Sequence, residues 1–202
     1  IWIGTTDGLC VLQKGQKTFK PYSITKKDLR DNTIFAINSD QAGNIWFGTK
    51  DGASRINPYT SELKNYTMEE GLGGNYVYRI FSDSKGNLWF GTAEGITVYS
   101  GKSFTNYTID QGLCHNYIKS IIEDNSGRIW ISTNDAGISV YDGRTFSSYS
   151  EKEGLLQNHI HSLFKDKDGN IWLGSSRQTL MKFNGSDFIS FGLNQAGGSG
   201  AD

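Results

Sequence analysis

The sequence predicts an all-β fold, a β-propeller of four-stranded antiparallel blades, and three observations carry that expectation. Trp2, Trp46, Trp89, Trp130 and Trp172 recur at gaps of 44, 43, 41 and 42 residues. Each lies in the same phrase, as in Gly43-Asn44-Ile45-Trp46-Phe47-Gly48-Thr49 and Gly169-Asn170-Ile171-Trp172-Leu173-Gly174-Ser175. The composition agrees: 25 glycines, 2 prolines and 13% aromatic residues suit short strands joined by glycine-centred turns. A period of about 40–50 residues built from strand-like units marks a propeller or a solenoid.

Four strand signals follow one another in each period. The first strand reads Ile34 to Ile37, Val77 to Ile80, Ile118 to Ile121 and Ile160 to Leu163. It ends in an Asp-x-x-Gly turn, Asp40 to Gly43 and its counterparts at Asp83, Asp124 and Asp166. There Asp accepts hydrogen bonds from turn amides and Gly takes a positive φ. The second strand carries the tryptophan. A glycine turn leads to the third, Leu9 to Leu12, Ala53 to Ile56, Ile96 to Tyr99, Ile138 to Tyr141 and Leu180 to Phe183. The fourth is marked by Phe19/Tyr22, Leu63/Tyr66, Phe104/Tyr107, Phe146/Tyr149 and Phe188/Phe191. A Gly-Leu-x-x-Asn link then returns to the next first strand, as in Gly71 to Asn75, Gly112 to Asn116 and Gly154 to Asn158. One such sheet cannot bury both faces; stacking sheets around an axis does. Tryptophans and aromatic pairs then fill the spaces between blades, each contributing roughly 1.5–3 kcal/mol of burial.

About five blade units are expected, near 1–31, 32–74, 75–115, 116–157 and 158–193, with 194–202 a flexible tail or linker scar. The first unit lacks its inner strand, and nothing after Phe191 supplies one. The chain therefore reads as a segment of a larger propeller or as a trimmed or engineered array. It opens on a strand, Ile1-Trp2-Ile3, so upstream sequence is expected to be missing. An open array would expose strand edges and apolar faces, which favours oligomers.

Several function classes lose support at this stage. A formal net charge of −1 gives no electrostatic case for nucleic acid. No apolar run reaches the roughly 20 residues a membrane helix needs. Cys10 and Cys114 occupy different repeat phases and read as free thiols. Asp166-Lys167-Asp168-Gly169-Asn170 opens like a calcium loop but lacks the later Glu and sits at an ordinary turn. No Gly-x-Ser-x-Gly elbow or phosphate loop is present, and no cofactor or metal site is expected.

The phrase from Val77 to Gly95 joins a strand, an Asp turn, Leu88-Trp89-Phe90-Gly91-Thr92 and a second glycine turn. It resembles the two-component regulator propeller repeat, and the likeness extends over nearly all of residues 1–193. Such repeats usually form periplasmic or extracellular sensor domains of bacterial hybrid histidine kinases. The resemblance implies ligand sensing, commonly of glycan fragments, relayed across a membrane. This chain departs from the pattern in having few repeats, no transmembrane helix and no kinase.

Positions shared by every blade serve the scaffold, so function is expected where the repeats disagree. At the rim formed by the links into each first strand these are Tyr76, Tyr78, Arg79, His115, Tyr117, Lys119, His159 and His161. The turns between second and third strands add Asp51, Glu94, Asn134, Asp135 and Arg177. Aromatic rings stack on apolar sugar faces, and planar polar groups bond hydroxyls. An oligosaccharide or small polar ligand is the expected partner. An interaction scaffold that self-assembles without ligand, as a homo-oligomer or with the remaining blades of a larger propeller, is the alternative. A lyase-type enzyme using the rim histidines, with Asp135 orienting them, is the third reading.

Overall fold

The computed structural model describes residues 1–22, 30–176 and 179–192; the expected tail at 194–202 and Arg177 lie outside the described residues. Five antiparallel sheets follow in chain order. The first has three strands, β1 (Trp2–Thr5), β2 (Gly8–Val11) and β3 (Lys20–Pro21). The second holds β4 (Ala36–Ser39), β5 (Ile45–Thr49), β6 (Gly52–Ile56) and β7 (Leu63–Tyr66). The third holds β8 (Val77–Ser82), β9 (Leu88–Thr92), β10 (Ile96–Tyr99) and β11 (Phe104–Tyr107). The fourth holds β12 (Ile118–Glu123), β13 (Ile129–Thr133), β14 (Ile138–Tyr141) and β15 (Phe146–Tyr149). The fifth holds β16 (Ile160–Lys165), β17 (Ile171–Ser175), β18 (Thr179–Phe183) and β19 (Phe188–Gly192). Strands within a sheet pair in sequence order, and sheets meet through β4, β8, β12 and β16, which therefore form the inner edge.

Two local differences from expectation have clear causes. β4 begins at Ala36 rather than Ile34, because Ile34 already bonds back to Thr5 of the preceding sheet. The links from β7, β11 and β15 to the next inner strand each contain a turn of 3-10 helix, at Met68–Glu70, Ile109–Gln111 and Glu151–Glu153. Capping boxes set these turns: Thr67 with Glu70, Thr108 with Gln111, Ser150 with Glu153. The repeated Asn then closes the link. Asn75, Asn116 and Asn158 accept through Oδ1 from the backbone N–H of Met68, Ile109 and Glu151 at 2.9, 2.9 and 2.8 Å.

The core is four apolar clusters, one between each pair of successive sheets. Trp46 stacks on Tyr66 of its own sheet at 4.9 Å and meets Phe90 and Tyr99 of the next at 5.4 and 5.2 Å. Trp130 repeats this with Tyr149 and Phe183. At the sixth residue of the tryptophan phrase, two after the tryptophan, neighbouring sheets approach closely. A Cβ on Gly48 would lie 2.6 Å from the Val77 carbonyl oxygen, so the neighbouring inner strand excludes a side chain there.

Four of the five indoles are also fastened to the turn before them. Nε1 of Trp46, Trp89, Trp130 and Trp172 donates to Oδ2 of Asp40, Asp83, Asp124 and Asp166 at 2.9, 2.9, 2.9 and 2.8 Å. The other carboxylate oxygen accepts turn amides, as Asp83 does from Lys85 at 3.0 Å and Asn87 at 2.7 Å. The turn aspartates thus do more than shape a turn.

At the two ends of the stack these faces stand open. Trp172 is half-buried where Trp46 and Trp130 are 0% exposed. Phe164 and Leu180 beside it are 63% and 41% exposed, lining an apolar groove of about 310 Å³ with Ser162 and Gly174. Ile3 of the first sheet is 40% exposed, whereas its counterparts Phe47, Phe90, Ile131 and Leu173 are fully covered by the preceding sheet.

Two predictions follow from the turn aspartates. Asp83→Asn keeps an acceptor for the turn but presents an amide N–H2 to the indole donor or to the amides, so one bond is lost in a buried setting. The expected cost is about 1–3 kcal/mol in urea unfolding; an unchanged midpoint would remove the bond from the account. The indole of Trp172 and the side chain of Asn170 hold Asp166 down, to about 2. Burial opposes ionisation of Asp124, but bonds from Trp130 and Arg128 prevail and its pKa is also lowered. Unfolded aspartates titrate near about 3.9. The folded values lie below this, so their stabilisation is complete above about pH 4 and is lost as pH falls toward about 2. Tryptophan fluorescence against pH should show unfolding within that window, and a flat trace down to pH 2 would contradict it.

Candidate functional site

Three of the four inner strands, β8, β12 and β16, share a departure from regular pairing. Ala36, Arg79, Ser120 and Ser162 lie opposite Gly48, Gly91, Ser132 and Gly174. Just before this pair the register slips between Val77 and Arg79, Ile118 and Ser120, and Ile160 and Ser162. The skipped residues are Tyr78, Lys119 and His161, and Phe35 stands at the same place in the second sheet. A bulge leaves its extra residue unpaired and re-aims the side chain. Two positions earlier in each repeat come Thr33, Tyr76, Tyr117 and His159.

These two sets make contact across the sheets. Phe35 meets Tyr76 at 5.1 Å, Tyr76 stacks on Tyr78 at 4.4 Å, and Tyr78 meets Tyr117 at 4.9 Å. Lys119 Nζ lies 4.5 Å from the centroid of the Tyr117 ring. Arg79 bridges neighbouring inner strands: Nε donates to the Lys119 carbonyl at 2.7 Å and Nη1 to the Tyr78 carbonyl at 2.9 Å. Burial, reinforced by the Tyr117 phenol, pushes the Tyr78 phenol well above the usual tyrosine range, so it stays protonated and able to donate.

A second group lies between the fourth and fifth sheets. Asp135, in the left-handed region at φ 59, contacts Nδ1 of His159. His159 meets His161 edge-on at 4.4 Å, and His161 Nε2 lies 2.7 Å from Ser176 Oγ. Burial, then the nearby His161 and Lys119, lower the proton affinity of His159. Beside them opens a cleft of about 630 Å³ lined by Asp135, Glu151, Leu156, Gln157, Asn158, His159 and Ser176.

Of the sequence candidates, Tyr76, Tyr78, Arg79, Tyr117 and Lys119 therefore form one continuous surface, and Asp135, His159 and His161 another beside it. His115 stands apart: its Nδ1 accepts the Tyr117 backbone N–H at 2.9 Å and serves the link. Asp51 is occupied by Arg30 at 3.0 Å. Among the described residues no three His, Cys, Asp or Glu side chains are grouped to hold a metal ion. Cys10 and Cys114 are free thiols. Two members of the surface, Phe35 and Ser176, were not candidates from sequence. Phe35 was detectable, since it occupies the same repeat position as Tyr78.

Four stretches of the chain, residues 28–51, 71–94, 112–135 and 154–177, match the family described as two component regulator propeller. A solved extracellular domain assigned to the hybrid two component system BT3049 of B. thetaiotaomicron is 28% identical, with a TM-score of 0.77 over 96% of this chain and 26% of its own. That of BT4673 from the same organism is 25% identical, with a TM-score of 0.79 over 97% of this chain and 30% of its own. This chain thus spans less than a third of those domains. Virginiamycin B lyase from Staphylococcus aureus is 16% identical with a TM-score of 0.74, over 96% of this chain and 66% of its own, a likeness of fold. Comparison with curated proteins gives no match. Among the described residues no helix is long and apolar enough to cross a membrane.

Proposed function

We propose that this chain, built of two-component regulator propeller repeats, is the ligand-binding part of a bacterial extracytoplasmic sensor and takes a polar small molecule, in particular a glycan fragment, on its inner-strand rim. The single observation that carries this is the run Phe35–Tyr76–Tyr78–Tyr117, four rings in serial contact on positions the scaffold does not need, with Tyr78 on a bulge. Sugar rings present apolar C–H faces to aromatic rings and hydroxyls to polar neighbours. Asn158, Gln157 and Ser176 supply such neighbours in the adjoining cleft. The location rests on the likeness to extracellular sensor domains. Titration calorimetry against a panel of oligosaccharides should find saturable binding, and Tyr78→Ala should weaken it about tenfold or more, the loss of one stacking contact plus its burial. Saturable binding indifferent to Tyr78→Ala would move the site elsewhere, and no binding across the panel would count against the reading itself.

A second reading, a self-assembling scaffold, rests on the open faces at the two ends. The Trp172 face and the Ile3 face are the two halves of the contact that joins every internal pair of sheets. A second copy docking head to tail would cover both, a heterologous contact that can repeat or close. Light scattering should then show mass rising with concentration, and Trp172→Ser should reduce it to that of one chain. A single-chain mass at all concentrations for the unaltered protein would retire this reading.

A further inference from the structure

The rim changes chemistry along its length. At the second and third sheets it is aromatic, Phe35, Tyr76 and Tyr78; at the fourth and fifth it carries Lys119, His159 and His161, with Arg79 at the join. The cations at the join are held without being neutralised. Lys119 is placed by the face of Tyr117, a cation–π contact that fixes the ammonium yet leaves its charge unbalanced. Arg79 uses Nε–H and one Nη1–H on backbone carbonyls, which orient the guanidinium across β8 and β12. Of its five N–H donors three remain. Among the described residues neither cation stands in an ion pair. The nearby carboxylates are committed or displaced: Asp135 to His159, Asp51 to Arg30. Glu94 lies against Gly74 on the aromatic side, away from the join, where its charge acts on the Tyr78 phenol.

Two positioned, unbalanced cations beside stacked rings make a surface for a ligand with both an apolar ring face and a fixed negative charge. We propose that the rim selects an acidic sugar, a uronic-acid-containing oligosaccharide, lying along the aromatic run of Phe35, Tyr76 and Tyr78 with its carboxylate on Lys119 and Arg79. The guanidinium and ammonium supply the charge-assisted hydrogen bonds that a carboxylate accepts and a neutral hydroxymethyl group does not match. Neighbouring sugars run into the cleft at Asn158 and Gln157, whose amides bond hydroxyls. This inference rests on the sensor reading above and narrows it from polar ligands to anionic ones.

The test uses the unaltered chain with trisaccharides of galacturonate, glucuronate and mannuronate, each beside its methyl ester, which removes the charge and adds one methyl group, and beside the corresponding neutral hexose trisaccharide. Calorimetry should show at least one acid binding tenfold or more tightly than its ester, with the advantage shrinking as salt rises. Lys119→Met, which keeps the aliphatic stem, should bring the acid down to the ester's affinity while thermal unfolding stays unchanged; Arg79→Met should do the same in part. Equal affinity for acid and ester, or binding confined to neutral glycans, would overturn the inference and leave the sensor reading standing. Absence of binding by every saccharide, acidic and neutral, would overturn both.

Discussion

The bond from four of the five tryptophan indoles to the aspartate six residues before each is the constraint on which the architecture rests. One carboxylate gathers the amides of its turn on one oxygen and the indole on the other, as Asp83 does with Asn87 and Trp89. Turn, inner strand and second strand are thereby fixed to one another before any neighbouring sheet is considered. The indole is then presented edge-on and face-out, ready for the aromatic of the next blade. Asp and Trp must be replaced together or not at all, because a buried indole N–H or carboxylate left without its partner is costly.

The upper links are held by the same logic on a different scale. A Thr or Ser paired with Glu or Gln caps a single helical turn, a glycine in the left-handed region ends it, and an Asn closes the loop from the far side. The turn between second and third strands is tied in as well, through Gly52 N–H to the Asn75 carbonyl and Gly137 N–H to that of Asn158. The rim is therefore a braced structure. Side chains that rise from it, such as Tyr76 and His159, start from backbone already fixed by these bonds.

Most of this fold was legible in the chain, because the period, the turns and the aromatic pairs all point to the same blade. The three-stranded first sheet followed from counting strand signals. The 3-10 turns were missed although Thr67-x-x-Glu70 and Ser150-x-x-Glu153 are capping boxes in plain sight; the Gly-Leu pair after them drew the eye to a loop. The bulges were missed for a more instructive reason. Ile118 and Ile121, or Val77 and Ile80, are buried at a spacing of three, which a regular strand with a period of two does not allow. Reading that spacing as a strand with one residue set aside would have singled out Phe35 with Tyr78, Lys119 and His161. The grouping of Asp135 with His159 across two blades was beyond reach, since their proximity depends on how the sheets stack. His115, by contrast, looked like their companion only because it is the same residue type.

The set-aside residue on each inner strand has a consequence for how such a protein diversifies. Because that side chain has no partner in the ladder and no place in the clusters between sheets, exchanging it alters the surface of the arc and little else. Phe35, Tyr78, Lys119 and His161 occupy one structural address with four different chemistries. The chemistry of the arc's surface is thus set by a row of interchangeable side chains, one from each of four sheets, on a frame whose stability is determined by other residues. Duplication of a blade copies the frame and adds one more such position, so the row of exchangeable side chains lengthens with the array.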